Sequence, residues 1–232
     1  MFEAKEVKQN TVSAKGQLKD SYLLQIYDTE DAELRILFVG NSITYHGPNE
    51  AIGWPASWGM AASCMEKDYV HQTVQMLSKQ YKSVGFAIAQ VADWEVKFDE
   101  VEADVWKEPY LGVSEFHADV VVIRLGENIA SNKLENKYLQ QYIEEMIAFF
   151  GEGCRQIIVT DCFWKREKLD NIFKVICDKK GYTFCQLSDL YNDKKTMALE
   201  QFEHQGVALH PSDYGMELIA KRVTACVEGE SL

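Results

Sequence analysis

The sequence predicts an α/β protein: one sheet of five parallel strands with helices on both faces. Three observations lead there. Five short apolar runs punctuate the chain, and longer segments with apolar residues at helical spacing lie between them. The run Val120-Val121-Val122-Ile123 is apolar at consecutive positions, as a strand covered on both faces requires. Strand–helix alternation at this spacing builds parallel sheets through crossover connections.

The strands are expected at Ile36 to Val39, closed by Gly40, then Val84 to Ala89, Val120 to Leu125, Ile157 to Thr160 and Tyr182 to Gln186. Tyr69 to Tyr81 carries Val70, Val74, Leu77 and Tyr81 on one helical face. Tyr138, Tyr142, Met146 and Phe149 do the same ahead of Gly151, a helix stop. Leu169 to Lys180 and Met216 to Val227 supply two further helices. Residues 1–30 read as an N-terminal extension, with the apolar patch Tyr22 to Tyr27 forming a hairpin packed on the main domain, residues 31–232. Ligands of such sheets bind outside the carboxyl ends of the strands, so those ends are where chemistry is sought.

Composition narrows the function. The 232 residues are 47% hydrophobic and 26% charged, which suits a single globular domain. Against 24 Lys and Arg stand 36 Asp and Glu, a net charge of −12 with no basic stripe to offset it. Nucleic acid and anionic membranes are therefore not expected partners. The apolar runs are too short to cross a bilayer, and Met1 to Glu6 carries acids where an export signal has a basic head. A cytoplasmic protein is expected. The six cysteines form no C-x-x-C pair and several sit in apolar stretches, so they read as reduced core residues.

Three strand or loop ends carry candidate chemistry. The first strand runs into Gly40-Asn41-Ser42-Ile43-Thr44, which exposes a hydroxyl among backbone N–H groups; Ser42 as a helix cap is the simpler alternative. The third ends in Leu125-Gly126-Glu127-Asn128, where an Asn amide can donate to an oxyanion or merely brace a loop. Before the last helix lies Val207-Ala208-Leu209-His210-Pro211-Ser212-Asp213-Tyr214-Gly215, with an imidazole able to accept a serine proton. Tyr45, His46, Trp54 and Trp58 form an aromatic insertion that either stacks on sugars or packs as a lid. Arg124 either pairs with Glu127 or holds an acidic group of a substrate. The last position of a G-x-S-x-G elbow is Thr44, which disfavours an α/β-hydrolase, and no dinucleotide or P-loop motif follows the first strand.

Together these segments resemble the SGNH (GDSL-type) hydrolases, over roughly Arg35 to Val227. Gly40 to Thr44 is similar to the family's first block, Gly126-Glu127-Asn128 to the G-x-N of its third, and His210-Pro211 with Asp213 and Gly215 to its last. The loop from His46-Gly47-Pro48 to Trp58-Gly59-Met60-Ala61-Ala62-Ser63 is similar to carbohydrate-esterase members. The resemblance implies a flavodoxin-like three-layer sandwich with strand order 2-1-3-4-5, and a serine esterase acting on short, chiefly acetyl, esters of small molecules or carbohydrates. It implies Ser42 as nucleophile and His210 as base, and an oxyanion hole from the Ser42 N–H, the Asn128 amide and a backbone N–H at Ala92 or Asp93. Tyr45, Trp54, Trp58, Arg124 and Glu127 are the residues expected around the substrate, and the resemblance implies neither cofactor nor metal.

Three departures stand out. Val207 occupies the position of the family's acid, so a backbone carbonyl or a carboxylate from elsewhere, such as Glu203, must orient His210. No glycine lies between Gly85 and Gly112 to serve as the second-block donor, and Ile129 follows Asn128 where an Asp is common. They leave a non-catalytic carbohydrate-binding module on the same fold as the competing expectation.

Overall fold

The computed structural model describes residues 22–28 and 31–229. Its six strands are β1 (Leu24–Tyr27), β2 (Leu34–Gly40), β3 (Val84–Gln90), β4 (Val120–Arg124), β5 (Gln156–Thr160) and β6 (Thr183–Cys185). They form one sheet in the order β1-β3-β2-β4-β5-β6. All neighbours are parallel except β1, which runs antiparallel beside β3 with Leu24 opposite Ala89. The five parallel strands thus stand in the expected 2-1-3-4-5 order, and the sheet gains a sixth strand at one edge.

That strand is what the patch at Tyr22 to Tyr27 becomes. Leu24 is buried against the core while Ile26 and Tyr27 stay exposed, so the segment covers the edge of β3 rather than folding on itself. The rest of the expected extension, residues 1–21, 29 and 30, lies outside the described residues.

Successive residues of a strand face opposite sides, and both sides here are apolar. Leu37 and Val39 of β2 join Val121 and Ile123 of β4 in one core; Ile36 and Phe38 join Val120 and Val122 in the other. The first core is covered by α5 (Leu139–Phe150) and α6 (Glu167–Lys180), with the short helices α2 (Ala92–Lys97), α3 (Ala103–Lys107) and α4 (Val113–Phe116). The second is covered by α1 (Tyr69–Leu77) and α8 (Asp213–Glu228), which pack on each other. A further turn of helix, α7 (Gln205–Ala208), precedes α8.

The helix ends have local causes. The Asp68 carboxylate caps α1 by accepting from the His71 N–H at 2.8 Å. The hydroxyl of Ser212 accepts from Gly215 N–H, which starts α8 three residues before the expected Met216. Gly181 and Gly229 end α6 and α8 in the left-handed conformation. Among the described residues, no helix is long and apolar enough to cross a membrane. None of the six cysteines is paired; four are buried, while Cys64 and Cys154 are half-buried.

Candidate active site

Parallel register brings the candidate residues together. Gly40 lies opposite Gln90 on one side and Arg124 on the other, so β2, β3 and β4 end side by side. The direction of strand addition reverses at β2, the point at which open α/β sheets form their clefts. Two glycines allow the close approach. A Cβ on Gly40 would sit 2.6 Å from the Arg124 carbonyl oxygen. Gly126 turns the chain at φ +128°, where side chains are strained, and a Cβ there would lie 2.8 Å from Cys162 Sγ.

No helix starts at Ser42, so the serine is not a helix cap. The turn is held by Thr44 and Tyr45 N–H groups, which donate to the Asn41 carbonyl at 2.9 and 3.0 Å. Ser42 is left half-exposed, with Oγ 2.8 Å from Nε2 of His210. Among the described residues nothing accepts from the Ser42 N–H. The opposite ring nitrogen, Nδ1, lies 2.7 Å from the carbonyl oxygen of Gly206. If that carbonyl accepts, Nδ1 carries the hydrogen and Nε2 is free to accept from Ser42.

The backbone carbonyl therefore stands where a carboxylate was sought, and no side chain of Glu203 is bonded to the ring. Val207, in the acid's position, is fully buried among Trp54, Ala56, Met60, Ala61 and Ala198. The His210 loop is further tied by its N–H to the Val207 carbonyl and by Ala198 N–H to the His210 carbonyl, at 2.9 and 3.0 Å. Trp164, a residue with no signal in the sequence, sets its ring edge-on to the imidazole at 5.3 Å. Burial, partly offset by the Gly206 carbonyl and reinforced by the Arg124 charge, pushes the His210 pKa down to about 4. The imidazole is neutral at pH 7.

Asn128 is exposed at the tip after β4 and faces the same cleft. Its Nδ2 donates to Glu95 Oε2 at 2.6 Å, leaving the second amide hydrogen for another acceptor. Ala92 behaves differently from expectation: its N–H already donates to Gln90 Oε1 at 3.1 Å. Asp93, next along the first turn of α2, also lines the cleft.

Under the cleft floor lies a buried polar cluster. Arg124, fully buried, donates to Glu127 Oε1 and Oε2 at 3.0 and 2.9 Å and to Asn41 Oδ1. Asn41 Nδ2 donates to Glu127 Oε2 at 2.6 Å and to Glu95 Oε1 at 3.1 Å. Glu95 also accepts from the Gly126 N–H. Burial opposes ionisation of Glu127, but Arg124 more than compensates and holds its carboxyl below the usual range. Glu95 is hydrogen-bonded by neutral donors alone, and burial followed by repulsion from Glu127 raises its pKa.

The cleft has a volume of about 360 Å³ and is lined by Tyr22, His46, Ile52, Met60, Val96 and His204 beside the residues above. The residues expected around the substrate have partners within the protein. Arg124 and Glu127 form their ion pair beneath the floor. Trp54 is buried and donates through Nε1 to the His46 carbonyl at 3.2 Å; Trp58 donates likewise to Ala62 at 2.8 Å. The two indoles meet edge to face, with Trp54 against Phe202. They prop the insertion against the 198–207 segment. Tyr45 packs against Tyr22 and the core. Asp213, accepting from both N–H and Oγ of Ser63, pins the far end of the insertion to α8.

Sheet order and superposition on solved structures give the fold: it is that of the SGNH hydrolases. No family model and no curated protein matches the sequence. Solved structures do match. A lipase/acylhydrolase from Enterococcus faecalis superposes with a TM-score of 0.58 at 15% identity, over 84% of this chain and 96% of that one. A family two carbohydrate esterase from Clostridium thermocellum, in complex with cellohexaose, gives 0.53 at 16% identity over 87% of this chain and 65% of its own. A catalytic mutant of Axe2, an acetylxylan esterase from Geobacillus stearothermophilus, gives 0.50 at 17%, over 84% and 94%.

Proposed function

We propose that this chain is a serine esterase that hydrolyses short-chain esters, acetyl esters of carbohydrates foremost. The observation that carries this reading is the 2.8 Å contact between Ser42 Oγ and His210 Nε2 at the mouth of the cleft. His210, neutral and oriented by the Gly206 carbonyl, accepts the serine proton as Oγ attacks the ester carbonyl. The second hydrogen of Asn128 Nδ2 and the Ser42 N–H hold the oxyanion, with Asp93 N–H as the remaining donor near the engaged Ala92. The imidazolium then gives its proton to the departing alcohol, and water releases the acyl group by the same route in reverse. Support for the acyl and alcohol classes comes from the named neighbours, an acetylxylan esterase and a carbohydrate esterase among them.

The test is intact mass after exposure to a fluorophosphonate, for wild type, Ser42→Ala and His210→Ala, followed by an acyl-ester screen. One adduct on wild type, absent from both variants, is expected. Folded wild type that takes up no adduct would leave a carbohydrate-binding module on the same fold.

A further inference from the structure

Among the buried ionisable groups that take no part in the mechanism is Glu95. Glu95 projects from α2 beneath the cleft, fully shielded from water, and spends one carboxylate oxygen on the side chain of Asn128. We propose that Glu95 is a positioning residue for ester hydrolysis, which as an ionised carboxylate locks the Asn128 amide with its nitrogen toward the oxyanion. The inference rests on the esterase reading.

Hydrogen-bond polarity sets which way the amide points. An ionised carboxylate only accepts, so it faces the NH₂ of an amide and repels its oxygen. With Nδ2 held 2.6 Å from Glu95 Oε2, the other N–H is committed to the cleft. The carboxylate is itself fixed from the loops that follow two strands: Gly126 N–H and Asn41 Nδ2 donate to its other oxygen. A protonated Glu95 can donate to Oδ1, and the amide can then turn over and present an acceptor where a donor is needed.

Protonation of Glu95 lies within reach. It faces the Glu127 carboxylate and the Arg124 guanidinium from β4 and its following loop, and Arg166 closes that loop by donating to the Gly126 carbonyl at 2.6 Å. Burial and Glu127 raise its pKa, whereas His210 titrates far lower. Activity should therefore fall on acidification as Glu95 gains its proton, before His210 does.

The experiment measures kcat and KM for an acetyl ester across pH, for wild type, Glu95→Gln, Asn128→Ala and the double variant. Removal of one oxyanion donor costs about 100-fold or more in kcat. Glu95→Gln should lose on the order of 100-fold in kcat with KM within about threefold, and its acid limb should move to lower pH. In the Asn128→Ala background the same change should cost less than about threefold, because its effect passes through the missing amide. Losses that multiply, or a wild-type kcat in Glu95→Gln, would overturn the proposal. Should Glu95→Gln fail to fold, the acid limbs of wild type and Asn128→Ala decide: a shift to lower pH in Asn128→Ala supports it, and identical limbs refute it. Wild type that turns over no ester would sink the esterase reading instead. The Asn128 side-chain amide resonance then tests the contact alone: a pH titration supports it, and no titration overturns it.

Discussion

Placing an acid three residues before His210, by Val207→Asp, should destabilise this protein without completing a triad. Val207 is fully buried in an apolar pocket of Trp54, Ala56, Met60, Ala61 and Ala198, none of which offers a polar side-chain partner but the Trp54 indole, already bonded to His46. Losing the buried isopropyl group costs about 1.5–3 kcal/mol. An unpaired carboxylate placed there adds roughly 1–3 kcal/mol as a neutral acid, and more if it ionises. The total, about 2.5–6 kcal/mol, is a large part of the stability of an ordinary domain. Urea unfolding at neutral pH should show it as a lowered midpoint, partly recovered as the pH falls and the new acid takes its proton. Because the Gly206 carbonyl already holds Nδ1, the ester turnover of the surviving folded fraction should not rise. A variant within about 1 kcal/mol of wild type and with raised kcat would refute the view that the carbonyl has displaced the acid.

Two further outcomes concern pH and charge. The folded pKa of His210, about 4, lies below the ordinary value near 6.5, so the unfolded chain binds a proton first as the pH falls through that window. Stability should drop by roughly 2–3 kcal/mol between pH 7 and about pH 4.5 on this account, and His210→Gln should lack that part of the loss in denaturant titrations. Arg124→Gln leaves Glu127 and Glu95 buried with no cation between them, at a cost of about 3–5 kcal/mol. Its stability should rise on mild acidification, as the folded state takes up a proton; a variant that weakens further would contradict the assigned role of the guanidinium.

What was legible in the sequence follows from what each signal encodes. Val120 to Ile123 announced a central strand because burial on both faces leaves no polar position. Ser42, Asn128 and His210 were legible because each follows a strand end or precedes a helix, and parallel register does the rest. Glu95 was hidden: a glutamate in a charged helix looks like solvent-facing surface, and only the approach of α2 to the β4 tip buries it. Trp54 and Trp58 were visible as aromatics, but a sequence carries no direction, and both rings turn inward. The patch around Leu24 was recognisable as apolar yet gave no partner, which tertiary pairing with β3 supplied. The orienter of His210 left no trace at all, since every residue has a carbonyl.

That last feature changes how the site responds to drift. A side chain that holds a base can be erased by one codon change. A main-chain oxygen cannot, and it stays in place as long as the turn from His204 to His210 keeps its shape. Sensitivity to substitution should then be spread over the residues that shape the turn, Val207, Ala198 and Trp54, and a scan for a missing acid would return an empty position.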